Sequence, residues 1–273
     1  MGNGDEAPTG VPHVRNAGGS TEQVVTHVRT LIEAGSLRPG DRLPAERDLA
    51  VEIGISRPTV RAGLRALAAM GVVQSRHGSG TYIPAGPPML GSEPLRFLAA
   101  LHGFTREEMF EARRILEVGA AALAAERATS DQIATIAEEV TCLFASMEDP
   151  QGFLVHDVLF HQTVAVAAGN PIVTSLVGMV SELYYALRRG TAARASDRNL
   201  RDAAEMHRRI YQAIRARDPE AARRAMAEHL ARARAFQAEE AGDKTPDGPV
   251  RDLADDSPEE TARSRQRRTP SAT

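Results

Sequence analysis

The sequence predicts a mainly α-helical protein, with an N-terminal winged helix-turn-helix and a C-terminal all-α bundle of six or seven helices. Three observations support this fold class. Three short helical patterns precede two β-biased segments within residues 21–83. A stretch rich in proline and glycine follows at residues 84–94. From there to residue 239 the apolar residues recur with helical spacing and show no strand-like alternation.

The composition is that of an ordinary globular protein. Hydrophobic residues make up 42% of the 273 residues, charged residues 25%, and the net charge is −3, which excludes fibrous, collagen-like and wholly disordered classes. No window approaches the roughly 18 consecutive apolar residues of a membrane-spanning helix, and residues 1–10 do not resemble a signal peptide. The single cysteine, Cys142, cannot form an internal disulfide. We therefore expect a cytoplasmic protein that does not associate with membranes.

Cap and turn residues bound the N-terminal elements. Ser56 is a good N-cap for the third helix, and Pro58 lies in its first turn, where a missing N–H costs little. Glycines at positions 54 and 71 end the second and third helices. The predicted helices span residues 21–34, 45–53 and 57–70, and the predicted strands span residues 72–75 and 81–83.

The C-terminal half divides into seven helical segments, with breaks such as Gly169-Asn170-Pro171 and Asp218-Pro219. These segments span residues 94–101, 105–127, 130–147, 151–168, 171–189, 198–217 and 219–239. The resulting domain prediction is a disordered N-terminus at 1–18, a winged helix-turn-helix at 19–84, a linker at 85–93, an all-α domain at 94–240 and a disordered charged tail at 241–273.

The two halves of the chain differ in charge. Residues 11–84 carry nine arginines against six acidic residues, whereas residues 94–240 carry 18 arginines against 20 acidic residues. Only the first segment suits a polyanion. A winged helix-turn-helix places its third helix in the major groove, where side chains near the helix N-terminus contact bases and phosphates. The candidates are Arg57, Thr59 and Arg61 on the third helix, Arg47 on the second, and His77 and Gly78 in the wing. For any single arginine, the alternative is that it lies on a helix surface that faces solvent and does not contact DNA.

Three N-terminal motifs carry a family resemblance. They are Leu43-Pro44-Ala45-Glu46-Arg47-Asp48-Leu49-Ala50, Ser56-Arg57-Pro58-Thr59-Val60-Arg61 and His77-Gly78-Ser79-Gly80-Thr81-Tyr82. They resemble the DNA-binding domain of GntR-superfamily bacterial transcription regulators, which implies that the six candidates contact operator DNA. The chain departs from this family at Ala62-Gly63, where a glutamate and an alanine are usual. Glycine inside a helix costs about 0.5–1 kcal/mol relative to alanine, so we expect a slightly softened recognition helix.

Four residues of the helical half have spacings that suit one metal ion. Asp157 and His161 are four residues apart and share a helix face. His207 and His229 each lie eleven residues from Asp218, so an antiparallel hairpin would place both about 16 Å from the turn. One carboxylate and three imidazoles suit Zn²⁺ best, with Ni²⁺, Mn²⁺ or Co²⁺ also possible. Spacing alone leaves open that these are ordinary buried or exposed histidines.

The same residues lie in motifs that resemble the C-terminal FCD domain of the FadR-like branch. The motifs are Asp157-Val158-Leu159-Phe160-His161, Ala168-Gly169-Asn170-Pro171, His207-Arg208-Arg209-Ile210-Tyr211-Gln212-Ala213-Ile214 and Met226-Ala227-Glu228-His229-Leu230. The resemblance implies that the aspartate and the three histidines hold the ion. A segment at residues 111–117 resembles the opening helix of that domain, which implies that Arg113 pairs with a carboxylate of the effector. The alternative is a surface salt bridge between Arg113 and Glu117.

The motifs and resemblances together predict a ligand-responsive regulator of transcription rather than an enzyme. We expect a homodimeric repressor that binds a short inverted-repeat operator in double-stranded DNA. A small carboxylate or sugar acid at the metal site is expected to modulate that binding. Two alternatives remain, namely a regulator with a purely structural metal and a metal-dependent hydrolase whose ion activates water. The absence of a convincingly placed general base argues against the hydrolase.

Overall fold

The computed structural model describes residues 17–86 and 93–241, and the chain divides into two compact units between Gly86 and Pro87. The disorder predicted for residues 1–16 and 242–273, and the linker at 87–92, lie outside the described residues. Three boundaries differ from the prediction. Residues 17, 18 and 241 were assigned to disordered ends but are helical, and Glu93 begins a helix inside the expected linker. A helix extends a residue or two beyond its buried face, and sequence patterns place such ends poorly.

The N-terminal unit is a three-helix domain with a two-stranded wing. Its elements are α1 (Ala17–Glu33), α2 (Glu46–Ile53), α3 (Arg57–Ala69), β1 (Gln74–Arg76) and β2 (Gly80–Tyr82). The strands pair antiparallel with Ser75 opposite Thr81. An isolated bridge from Arg42 to Tyr82, which the sequence did not predict, ties the wing to the segment before α2. The winged helix-turn-helix predicted from the sequence is confirmed.

Local chemistry determines where α2 and α3 end and begin. Gly54 adopts a φ of +75° after α2, a left-handed conformation that glycine reaches without strain. The Ser56 hydroxyl accepts a hydrogen bond from the N–H of Thr59 at 3.4 Å and caps α3. The core of the unit consists of buried aliphatic residues, including Val24, Val28, Leu43, Leu49, Val60, Leu64 and Leu67. Ile55 and Val72 are partly buried and pack against this core.

Gly63 allows α1 and α3 to pack closely. A Cβ atom at position 63 would lie 2.4 Å from the Cβ of Val24, which real side chains do not tolerate. Val24 is itself fully buried. The glycine that the sequence marks as a weak point of α3 is therefore a requirement of the interface between these two helices.

The C-terminal unit is an all-α bundle, and its described part contains seven α-helices, as expected from the sequence. They are α4 (Glu93–His102), α5 (Arg106–Arg127), α6 (Ser130–Ala145), α7 (Pro150–Ala167), α8 (Pro171–Arg188), α9 (Asp197–Arg215) and α10 (Pro219–Ala241). A short 3-10 turn at Ala192–Arg194 was not anticipated. None of the helices in either described range combines the length and the apolar run that crossing a bilayer requires.

Helix α7 is the central element of the bundle. The Asp149 side chain caps it by accepting a hydrogen bond from the N–H of Gly152 at 3.0 Å, and Pro150 lies in its first turn. Helices α5, α6, α8 and α9 all pack against it. Because α7 is covered on several sides, the side chains of Asp157 and His161 are buried.

Replacing Gly63 with alanine is expected to destabilise the N-terminal unit. Overpacking costs about 1–3 kcal/mol, which exceeds the gain of about 1 kcal/mol from removing a helical glycine. Urea unfolding followed by circular dichroism measures the net loss. Gly119→Ala on α5 is the matched control, because nothing lies within 4 Å of the added Cβ. The control should be neutral or stabilising, and an equal stabilisation by Gly63→Ala would contradict the packing argument.

Candidate metal centre and nucleic-acid interface

Asp157, His161, His207 and His229 lie together inside the C-terminal unit. Each offers one ligand atom, and these four atoms all lie within 4.8 Å of one another. None of the four residues is more than 3% exposed. The structure therefore brings together all four metal ligands proposed from the sequence.

Three helices supply the cluster. Asp157 and His161 are one turn apart on α7, whereas His207 comes from α9 and His229 from α10. The hairpin of α9 and α10 turns at Asp218, and the ring centroids of His207 and His229 are 4.2 Å apart. Equal offsets from the turn place the two imidazoles at the same height. This is the geometry that the sequence spacing predicts.

The ring nitrogens of the cluster converge. Nε2 of His161 and Nε2 of His229 are 3.0 Å apart. Nδ1 of His207 lies 2.8 Å from the carbonyl oxygen of Ala203. Because a carbonyl only accepts, Nδ1 of His207 carries the proton and Nε2 presents a lone pair. That Nε2 lies 3.2 Å from Oδ1 of Asp157.

The polar atoms at this site fit a divalent ion. Oδ2 of Asp157 and Nε2 of His207 are buried without a hydrogen-bond partner. Buried polar atoms are normally paired, and a divalent cation would satisfy these buried lone pairs. One carboxylate and three imidazoles are donors that Zn²⁺ and its neighbours in the transition series accept.

The cluster also has the protonation states that metal binding needs. Burial, together with the neighbouring rings of His207 and His161, holds the pKa of His229 well below its ordinary value. Burial lowers the pKa of His161 as well, although the carboxylate of Glu117 opposes this. Burial disfavours the Asp157 carboxylate, but the close approach of His207, together with His161 and Arg188, outweighs this and keeps the pKa of Asp157 well below the usual range. At neutral pH the cluster thus offers a carboxylate and at least two neutral imidazoles.

Arg113 forms a buried ion pair with Glu117. The two residues are 1% and 2% exposed. Nε of Arg113 donates to Oε1 of Glu117 at 2.7 Å, and Nη2 donates to Oε2 at 3.3 Å. The guanidinium carbon lies 4.1 Å from the ring centroid of Tyr184, and Nη1 is buried without a hydrogen-bond partner. The salt bridge considered from the sequence exists, but it lies in the interior and leaves one donor unused.

Sequence reasoning missed the residues that surround the cluster. Nδ1 of His161 lies 2.5 Å from Oε2 of Glu117, a residue weighed only as a partner of Arg113. Tyr184 and Arg188 on α8 are also buried, and Nη1 of Arg188 donates to the Tyr184 hydroxyl at 2.9 Å. The helical spacing of Arg113 and Glu117 was visible in the sequence. Nothing in the sequence indicated that this face of α5 packs on α7.

The recognition helix of the N-terminal unit presents arginines at its N-terminal end. Arg57 is its first residue and is exposed. Arg61, one turn later, is engaged by Glu46 of α2, with Nε at 3.1 Å from Oε1 and Nη2 at 2.8 Å from Oε2. The Thr59 hydroxyl shares a hydrogen bond with the Ser56 hydroxyl at 2.8 Å. Of these three candidates, Arg57 is the one whose side chain forms no hydrogen bond or ion pair with any other described residue.

The remaining candidates for DNA contacts are exposed. The side chain of Arg47 on α2 is 79% exposed, and its Nε lies 3.2 Å from Oδ1 of Asp48. His77 and Gly78 form the exposed tip of the wing, where Gly78 has a φ of +69°. The positive φ favours glycine at that position.

Removing bound metal is expected to lower the melting temperature of the C-terminal unit. An ion that binds only the native state stabilises it by about 2.7 kcal/mol at one hundred times its dissociation constant. Thermal unfolding of zinc-loaded protein with and without a chelator measures the effect. His229→Ala should abolish the response to the chelator. His156→Ala should retain it, because His156 pairs with Glu139 outside the cluster. If the chelator left the melting temperature of the wild type unchanged, the proposal of a metal at this site would be wrong.

Comparison with known proteins places both units in one family. Residues 20–83 match the model of bacterial regulatory proteins of the gntR family, and residues 108–232 match the FCD domain. The HTH-type transcriptional regulator LutR of Bacillus subtilis is 32% identical over 203 residues, covering 73% of this chain and 93% of LutR. The HTH-type transcriptional repressor NanR of Klebsiella aerogenes is 30% identical over 215 residues, covering 77% of this chain and 82% of NanR. In a GntR structure from Streptococcus agalactiae, the match has a TM-score of 0.56 and 28% identity and covers 78% of this chain and 98% of that one. The chain therefore belongs to the GntR family of bacterial transcription regulators and carries a C-terminal FCD domain.

Proposed function

We propose that this chain is a metal-containing repressor that binds a short inverted-repeat operator as a homodimer and releases it in response to a small organic acid. The observation that carries the proposal is the buried cluster of Asp157, His161, His207 and His229, which Glu117 connects to the buried guanidinium of Arg113. A DNA-binding unit and a ligand-binding unit on one chain allow the two affinities to be coupled.

The N-terminal unit supports direct contact with operator DNA. Arg57 and Arg47 expose guanidinium groups that can reach base edges or phosphates. Arg61 is paired with Glu46 on the surface, and such exposed pairs are weak enough for a phosphate to replace the carboxylate. A two-fold dimer presents two identical recognition helices, which is the reason for an inverted repeat. NanR, which is named a repressor, supports the direction of the effect.

The C-terminal unit supports a carboxylate effector. Within the described ranges Nη1 of Arg113 has no hydrogen-bond partner. Met109 and Phe110 of α5 and Tyr184 of α8 form an apolar cluster. A buried donor without a partner is costly, and a carboxylate would satisfy it with a charge-assisted hydrogen bond. A divalent cation in the cluster, when bound, supplies Lewis-acid positions for carboxylate or hydroxyl oxygens. Small carboxylates and sugar acids carry both kinds of group.

We assign Zn²⁺ as the ion, because three imidazoles and one carboxylate form a donor set that zinc favours. Ni²⁺, Mn²⁺ and Co²⁺ are accepted by the same donors. Elemental analysis of protein purified without added metal distinguishes them.

A purely structural ion is the second candidate, and the complete burial of all four ligands favours it. In that case chelation would unfold the C-terminal unit and no small molecule would change operator affinity. The metal-dependent hydrolase has no such support, because the matched relatives are transcription regulators.

Arg57→Ala is expected to weaken operator binding by about 1–3 kcal/mol, since it removes a guanidinium that reads a base or anchors a phosphate. The operator is selected from a random duplex pool, and affinity is measured by fluorescence anisotropy at fixed salt. Arg29→Ala on the exposed face of α1 is the control and should bind within about twofold of wild type. Equal affinities for wild type and Arg57→Ala would exclude Arg57 from the interface.

A thermal-shift screen of zinc-loaded protein against small carboxylates and sugar acids is expected to give a stabilising effector that also lowers operator affinity. Arg113→Lys should lose the response, because lysine keeps a charge opposite Glu117 but lacks the guanidinium fork. Arg223→Lys, in the surface pair with Glu220, is the control. A hit that stabilises the protein but leaves operator affinity unchanged would contradict the coupled mechanism.

A further inference from the structure

We propose that Glu117 is a positioning residue that joins the metal centre to the anion-binding arginine. Its carboxylate orients His161 towards the ion and holds Arg113 so that Nη1 is the donor left for a ligand. This inference rests on the proposed function, because it assumes that the cluster binds a divalent ion.

The first part of the argument concerns His161. Its Nδ1 lies 2.5 Å from Oε2 of Glu117, while its Nε2 lies 3.0 Å from Nε2 of His229. An acceptor at Nδ1 fixes the proton on that nitrogen and leaves the Nε2 lone pair for the ion. The same carboxylate accepts a hydrogen bond from Nε of Arg113 at 2.7 Å. The group that faces His161 is therefore a carboxylate paired with an arginine.

The three histidines differ in the group that lies next to Nδ1. His207 donates from Nδ1 to a neutral acceptor, the carbonyl of Ala203. Among the described residues, Nδ1 of His229 has no hydrogen-bond partner, and Nδ1 of His161 forms no hydrogen bond of regular geometry but lies 2.5 Å from a carboxylate oxygen of Glu117. His161 is thus the one histidine of the three whose Nδ1 faces a carboxylate, and a charged neighbour there raises the basicity of an imidazole ligand. Loss of the Glu117 charge should therefore weaken the binding of the ion by His161.

The second part of the argument concerns Arg113. Oε1 of Glu117 accepts from Nε, and Oε2 accepts from Nη2. Oε2 is also the atom next to His161. One carboxylate oxygen thus lies between the guanidinium and the metal ligand. A ligand that pairs with Nη1 and an ion that pairs with His161 both act on the same carboxylate, which gives a direct contact path between the two sites.

The test is the zinc affinity of full-length Glu117→Gln, measured by competition with a chromophoric chelator. Glutamine keeps the size and one acceptor oxygen but removes the charge. We expect zinc to bind about 10- to 100-fold more weakly. Glu139→Gln is the matched control, because Oε2 of Glu139 lies 2.9 Å from Nδ1 of His156, a histidine outside the cluster. That variant should bind zinc within about twofold of wild type.

A second variant keeps the test decisive if Glu117→Gln alone folds poorly, since it leaves Arg113 buried without a counterion. Arg113→Met combined with Glu117→Gln removes both charges and should restore the stability of the metal-free protein, measured by urea unfolding. Zinc should still bind more weakly to this double variant than to wild type. A merely structural role would leave its zinc affinity unchanged, and affinities within about twofold of wild type would overturn the proposal. Failure of wild type itself to bind zinc, nickel, manganese or cobalt would instead overturn the proposed metal centre and this inference with it.

Discussion

The C-terminal unit depends on how it satisfies charge inside an apolar bundle. Helix α7 is covered by other helices, yet it carries Asp157 and His161 in the interior. Isolated charges in such a setting are strongly unfavourable. In this bundle His207 and His229 lie next to Asp157 and His161 of α7, and Arg113 pairs with Glu117 on α5. The packing of α5, α7, α9 and α10 is thus fixed by polar contacts as well as by apolar area.

Most of the fold follows from local patterns. Caps such as Ser56, Thr105 and Asn170 accept hydrogen bonds from the following helix, where their sequence positions indicate a helix start. Glycine and proline breaks separate the predicted helices. The bridge from Arg42 to Tyr82 could not be predicted, because it joins residues 40 positions apart in the sequence through a single contact. The same is true of the 3-10 turn at Ala192–Arg194, which has no strong signal of its own.

Prediction of the candidate site succeeded where residues were linked by helical geometry. Asp157 and His161 share a face of one helix, and Asp218 sets the register of His207 against His229. Prediction failed where the contact depends on how separate helices rotate against one another. Glu117 and His161 are 44 residues apart, and only the packing of α5 on α7 brings them together. Glu46 was missed as the partner of Arg61 for the same reason, since it lies on a different helix.

Because Gly63 has no side chain, α1 packs so closely on α3 that the two helices can be exchanged only together. A designer who wishes to change operator preference by transplanting α3 from another regulator would import that donor's residue at position 63. If it were alanine, its Cβ would meet Val24. Substitutions at exposed positions of α3, such as Arg57, therefore leave the contact between α1 and α3 unchanged. Exchange of the whole of α3 requires an α1 that fits the new helix.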